Sequence, residues 1–305
     1  MQFIVPLPAN YLRWVPLKLL SRDPDSLSER VRGHSAVKAL HLPTADGPVP
    51  IALQIEWREA EALCRVESPV TLDLSAVRAA EAMARRIIGV HSDPTAFESH
   101  VETAQPPAGM NGIRLSDVIG GRRGLRIAQY ADIFEGVAWA IIGQQITLSF
   151  AYKLRRVVVQ RCGTPLSGGL IAQPTAAAVA ALDYADLTAH QFSRRKAEYL
   201  IDTARLITNR ALILDPAIPA PEMESRLLAV RGLGPWSTNY LMMRAMAYPD
   251  CVPLGDTGLS TALQRFYKLD HRPKAAETGN LMQPFAPFRS LATYHLWMNL
   301  GEPLA

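Results

Sequence analysis

Two kinds of hydrophobic spacing divide the chain. Along VKALHLPTADGPVPIALQIEW, residues 37–57, apolar positions alternate with polar ones, and the alternation breaks once at Ala45-Asp46-Gly47-Pro48. A period of two marks strands with one buried face, and the Asp-Gly-Pro cluster marks the turn between them. ALCRVES, residues 62–68, predicts a third strand. Next, LDLSAVRAAEAMARRIIG spaces Leu74, Val77, Ala80, Met83 and Ile87 as one face of a helix that ends at Gly89.

From HSDPTAFESH, residues 91–100, helical spacing alternates with short Gly/Pro breaks up to the end. DIFEGVAWAIIGQQITLSFAYKLRRVVVQRCG is apolar along much of one face, with Gly143-Gln144-Gln145 in its middle. TAAAVAAL, QFSRRKAEYLIDTARLIT, PEMESRLLAV and STNYLMMRAMA predict further helices. The expected fold class is α+β. A small antiparallel sheet with a helix occupies residues 1–95, followed by an all-α body in two lobes over residues 96–305.

Composition narrows the class. Of 305 residues, 49% are hydrophobic and 20% charged, as in ordinary globular proteins. We find no apolar run of about 18 residues, so no membrane span is expected. The N-terminal MQFIVPLPANYLRW lacks the basic head and apolar core of a secretory signal. Cys64, Cys162 and Cys251 lie far apart, with no metal-ligand spacing and no even disulfide set. A cytoplasmic protein is expected, as a monomer. Residues 1–100 hold 11 Lys/Arg against 12 Asp/Glu, whereas residues 101–305 hold 21 against 16. A basic second part suits a polyanionic partner, and equally a solvated surface.

The chemistry concentrates in VRGLGPWSTNYLMMRAMAYPDCVPLGD, residues 230–256. PEMESRLLAV, RGLGP and WSTNYLMMRAMA read as helix, hairpin, helix. Gly232 and Gly234 allow backbone conformations that side chains forbid. Pro235 suits the first turn of the second helix. Unpaired N–H groups at that helix start can hold a phosphate without any side chain. A lone G-x-G is more often a plain tight turn, so the context must decide. Asp256 precedes the spacing Leu259, Leu263, Phe266 and is expected to cap that helix. The helix end favours negative charge there, so a cap can also serve chemistry.

The run LLAVRGLGPWSTNYLMMRAMAYPDCVPLGDTGLSTALQRF resembles the helix–hairpin–helix DNA glycosylases, whose signature is a hairpin followed by a Gly/Pro-rich loop and an aspartate. Within them it is most similar to the bacterial DNA-3-methyladenine glycosylase II type. DIFEGVAWAIIGQQITLSFAYKL resembles that family's helix with a DNA-wedging loop, and FAPFRSLATYHLWMNLGE its last helix. The resemblance covers nearly the whole chain; the hairpin-to-Asp run is its specific part.

The resemblance implies that Asp256 is the catalytic aspartate. Trp236 stands where bifunctional relatives carry a Schiff-base lysine, so hydrolysis without a lyase step is expected. Gln145 falls on the residue that fills the gap left by the extruded base, with Gln144 before it. Tyr240 and Trp297 fall on aromatic positions of the base pocket. Gln144, Gln145, Gly232, Leu233, Gly234 and Ser237 are expected to face DNA. The carbonyls of Leu228, Val230 and Leu233 fall where the family holds a structural Na⁺ or K⁺, and no cofactor is expected for catalysis. Gly255 departs from members that carry a second acid there, and the iron–sulfur cysteines of other branches are missing.

The implied partner is double-stranded DNA with damaged bases. An alkylated purine is already cationic and leaves readily, so one carboxylate can suffice to stabilise the electron-poor sugar. Two other readings stay open: a glycosylase for deaminated or otherwise damaged purines, and a DNA-binding module in which Asp256 is only a cap. Trp297 could equally be core, and Tyr240, apart from the resemblance, reads as core rather than pocket. His295 is by default structural, and Arg194-Arg195-Lys196 fits either phosphate contact or a solvated face.

Overall fold

The computed structural model describes residues 1–110 and 112–301. Five strands, β1 (Gln2–Pro6), β2 (Glu29–Arg32), β3 (Ser35–Leu42), β4 (Val49–Trp57) and β5 (Glu61–Glu67), form an antiparallel sheet in the order β1-β5-β4-β3-β2. β3 and β4 pair from Ser35 opposite Glu56 to Leu42 opposite Val49, so the break at residues 43–48 is the expected turn. β5 is the expected third strand. β1 and β2 are additional, one at each edge of the sheet.

The expected helix runs Leu74–Ile88. Asp73 caps it by accepting the Ala76 N–H at 2.8 Å, and Gly89 closes it at φ 83°. Its apolar face joins Leu40, Ile51, Ile55 and Trp57 in the core of the sheet.

The rest is helical apart from a two-residue strand pair, Thr164–Pro165 with Ile171–Ala172. The long apolar segment is two helices, Ile133–Ile142 and Leu148–Cys162, with residues 143–147 as a loop between them. Arg194–Thr208, Ala220–Leu228 and Pro235–Ala245 follow as helices. Ile133–Ile142 crosses Pro235–Ala245 closely because Gly136 has no side chain; a Cβ there would lie 2.6 Å from that of Ala245. No helix among the described residues is long and apolar enough to cross a membrane.

A buried ionic network joins sheet and helices. Lys38 of β3 bonds Glu29 of β2 and, at 2.7 Å, Glu135. Arg155 reaches both acids, at 2.7 and 2.9 Å. Burial alone would raise the Glu29 carboxyl, but Arg155 and Lys38 outweigh it and hold it well below the usual carboxylate range. Charges this deep persist only when each has partners.

Candidate active site

Five elements converge on a cleft of about 1250 Å³. The loop 143–147 contributes Gln144 and Gln145. The hairpin contributes Gly232 and Gly234, and the helix after it Trp236 and Ser237. The turn before Thr257–Tyr267 contributes Gly255 and Asp256, and Arg289–Asn299 contributes Trp297. Asp256 is the sole ionisable side chain among the described residues that line it.

Asp256 is both cap and wall. Its Oδ1 accepts the Leu259 N–H at 2.6 Å, the bond expected of a helix cap. The same oxygen accepts Trp297 Nε1–H at 3.0 Å, and Oδ2 accepts Trp236 Nε1–H at 3.0 Å. Three N–H donors from three helices thus fix a carboxylate that is 8% exposed. Gly255, at φ 88°, turns the chain into this cap. Gly258 keeps room for it: a Cβ there would sit 3.1 Å from Asp256 Oδ1 and 3.4 Å from the Trp297 ring.

Trp236 and Trp297 both line the cleft. Tyr240, expected in the pocket wall, lies behind it. Its ring stacks on Trp236 at 5.4 Å, it is fully buried, and its hydroxyl meets that of Tyr130 at 2.9 Å. Tyr240 is one helical turn beyond Trp236, so it shares a face with Trp236 but sits deeper. It sets the tilt of the indole rather than offering a surface.

Trp139 is a wall residue that sequence reading missed. It faces the cleft, backed by Tyr152 at 5.0 Å. In an apolar helix nothing separates such a tryptophan from a core one. His295 does not reach the cleft: it is fully buried against Phe97 at 5.2 Å, and burial pushes its imidazole down to about 3.

The two hairpin glycines have different reasons. Gly232 stands at φ 97°, and a Cβ would lie 2.3 Å from the Tyr199 ring, so internal packing requires it. Gly234 has ordinary φ −93° and open space where a Cβ would be. Nothing inside the protein demands glycine there, whereas close approach from outside would.

Three residues expected to face DNA are engaged internally. The Leu233 N–H is spent on the Val230 carbonyl at 3.0 Å, and its side chain is buried. Gln144 Nε2 donates to the Gly232 carbonyl at 2.8 Å and to the Ser237 hydroxyl at 2.9 Å. Gln144 and Ser237 therefore tie loop to hairpin. Gln145 is exposed, with φ 55°, a left-handed conformation few side chains adopt. Lys196, expected at a phosphate or in solvent, turns inward onto the carbonyls of Ile141 and Ile142 before this loop and of Gln144 within it.

Residues 138–287 match the model of the HhH-GPD superfamily base excision DNA repair proteins. A putative DNA-3-methyladenine glycosylase of Bacillus subtilis is 34% identical over 171 residues, 55% of this chain and 59% of its own length. The Escherichia coli DNA-3-methyladenine glycosylase 2 is 30% identical over 182 residues, 59% of this chain and 62% of its own. The chain thus spans about three fifths of the curated relatives it matches. A solved 3-methyladenine DNA glycosylase from Archaeoglobus fulgidus superposes over 97% of both chains with a TM-score of 0.78 at 21% identity. The fold is shared over nearly the full length, and the matched segment holds the hairpin, Trp236 and Asp256. Residues 138–287, just under half of the chain, are thus similar to the HhH-GPD superfamily of base excision DNA repair proteins.

Proposed function

We propose that this protein is a monofunctional DNA glycosylase that extrudes alkylated bases such as 3-methyladenine and 7-methylguanine from duplex DNA and hydrolyses their N-glycosidic bond. The observation that carries this reading is a solitary, rigidly held carboxylate in an indole-lined cleft. As the bond to the base breaks, positive charge builds on the sugar. The Asp256 carboxylate stabilises that charge in a site that largely excludes water, and orients the attacking water. Among the described residues no second ionisable group lines the cleft to protonate a departing neutral base. The leaving group must therefore bring its own charge, as an alkylated purine does. The faces of Trp236, Trp297 and Trp139 attract such a cation by roughly 0.5–2 kcal/mol each.

No lysine lines the cleft among the described residues, and Trp236 occupies the position after the hairpin, so hydrolysis is favoured over a Schiff-base lyase. The N-terminal amides of Pro235–Ala245, open to outside approach at Gly234, supply a grip on phosphate that is blind to sequence. Gln145 enters the gap left by the base. The carbonyls of Leu228, Val230 and Leu233 would hold a Na⁺ or K⁺ in the hairpin. The Val230 oxygen accepts the Leu233 N–H and keeps a second lone pair, and neutral oxygens suit a singly charged hard ion.

The test is base release from duplex oligonucleotides carrying 7-methylguanine, 3-methyladenine or hypoxanthine, with Asp256→Asn beside the parent. The alkylated bases should leave much faster than neutral hypoxanthine. The variant should lose at least about a hundredfold, the scale of one lost electrostatic stabiliser, and should still bind DNA. Equal release by both proteins would leave Asp256 as a cap alone. Borohydride should trap no adduct.

A further inference from the structure

We propose that Lys196 is a positioning residue: with Gln144 it locks the loop 143–147, so that Gln145 is set for insertion into the base stack before DNA arrives. The inference rests on the glycosylase reading for its consequence, though not for its geometry. Lys196 Nζ donates to the carbonyls of Ile141 at 3.3 Å, Ile142 at 2.8 Å and Gln144 at 2.6 Å. An ammonium has three N–H bonds, and the carbonyls of the last helical turn and of Gln144 in the loop take all three. Two of them, Ile141 and Ile142, lie at the negative end of the helix, where the Ile141 carbonyl also accepts the Gln144 N–H at 3.4 Å. No N–H remains for a phosphate.

The lock has a second bolt. The backbone carbonyl of Gln144 is held by Lys196, while its side chain holds the Gly232 carbonyl and the Ser237 hydroxyl on the hairpin. Gln144 is thus pinned at both ends, to the helix Arg194–Thr208 and to the hairpin. The next residue, Gln145, sits exposed at φ 55°. A left-handed non-glycine residue is strained and persists only where its surroundings hold it. The Lys196 and Gln144 bonds supply that hold. The ammonium is half-buried, and burial lowers it to about 8. Arg194 and Arg231 occupy the neighbouring Glu198, and Lys196 bonds the three carbonyls instead.

A mere helix cap would affect every substrate alike, whereas a wedge lock matters only where a stack must be breached. Lys196→Met keeps the apolar stem and removes the donors. Release of 7-methylguanine from a paired duplex should fall by about tenfold or more, the scale of a lost charged hydrogen bond. Release from the same lesion in a single-stranded oligonucleotide should stay within about twofold. Lys196→Arg should recover most of the duplex rate. In the free protein, amide exchange at Gln145 and Ile146 should quicken by about tenfold in Lys196→Met. Gln144→Met, which removes only the side-chain bolt, should repeat the pattern and serves in place of Lys196→Met should that variant not fold. Equal losses on both substrates, or unchanged exchange in the loop, would overturn the proposal. Should the parent release no base, the glycosylase reading falls, and amide exchange still decides whether Lys196 orders the loop.

Discussion

Trp297 and Asp256 are 41 positions apart in sequence, yet the indole N–H of one meets the carboxylate of the other at 3.0 Å. The indole is therefore wall and clamp at once. Trp297→Phe keeps a ring and deletes the donor; Trp236→Phe does the same on Oδ2. Each loses a hydrogen bond to a charged group, worth about 1.5–3 kcal/mol. Weaker donation leaves more charge on the carboxylate, but a carboxylate free to turn loses its aim at the sugar. Orientation dominates, since misplacement by about 1 Å can cost a hundredfold. Single-turnover release should fall by about tenfold or more in each variant, with little change in affinity for DNA that carries an abasic site.

Gly258→Ala separates the site from the fold. The added Cβ would lie 3.1 Å from Asp256 Oδ1, tighter than ordinary contact, and 3.4 Å from Trp297. Alanine gains about 1 kcal/mol over glycine inside a helix. That gain offsets much of the crowding, so thermal stability should move little. The carboxylate must yield, and base release should drop by about tenfold or more. A normal rate, measured beside an unchanged melting curve, would show that Asp256 tolerates displacement.

The signals legible in sequence were local ones. β3, β4 and β5 alternate, and Leu74–Ile88 carries its own cap and glycine stop. β2, ERVR, has no such alternation: it is an edge strand paired through its backbone, and its Glu29 is buried for the ionic network. Asp256 was legible as a helix cap, since an aspartate just before an apolar helical spacing marks that position. The roles of Lys196, Gln144 and Tyr240 were not, since each depends on a helix or hairpin distant in sequence. A lysine on a charged helix start and a tyrosine one turn from a tryptophan look the same whether they face inward or out.

The hairpin glycines should respond differently to alanine. Gly232→Ala must fit a Cβ at 2.3 Å from Tyr199 in a left-handed backbone. Strain of roughly 1–2 kcal/mol adds to overpacking of roughly 1–3 kcal/mol, and denaturant melts should show a loss on that scale. Gly234→Ala meets open space at an ordinary φ and should leave stability unchanged within about 0.5 kcal/mol. Its effect should appear in DNA affinity, which the extra methyl weakens by blocking close approach to the backbone. A Gly234→Ala protein with full affinity would move the phosphate grip away from this turn.

Acid should destabilise the protein in two stages. Buried His295 resists protonation until about 3, whereas an unfolded histidine takes up its proton near 6.5. Between those values the unfolded state binds more protons, so stability falls as pH falls. Glu29 acts lower. Its folded carboxyl is held below the ordinary value by Arg155 and Lys38, so its contribution is complete above about 4.5 and is lost as pH drops towards the folded value. His295→Leu should cost packing against Phe97 but lessen the pH dependence between about 6.5 and 4.5, leaving the share of His91, whose imidazole burial lowers to about 4. Lys38→Met strands Glu29 and Glu135 with Arg155 alone and should cost about 3–5 kcal/mol near neutral pH. Raising the Glu29 carboxyl as well, it should shift the steep acid phase to higher pH. Urea melts across pH 3–7 resolve both effects, and parallel curves for parent and His295→Leu would remove the histidine from the account.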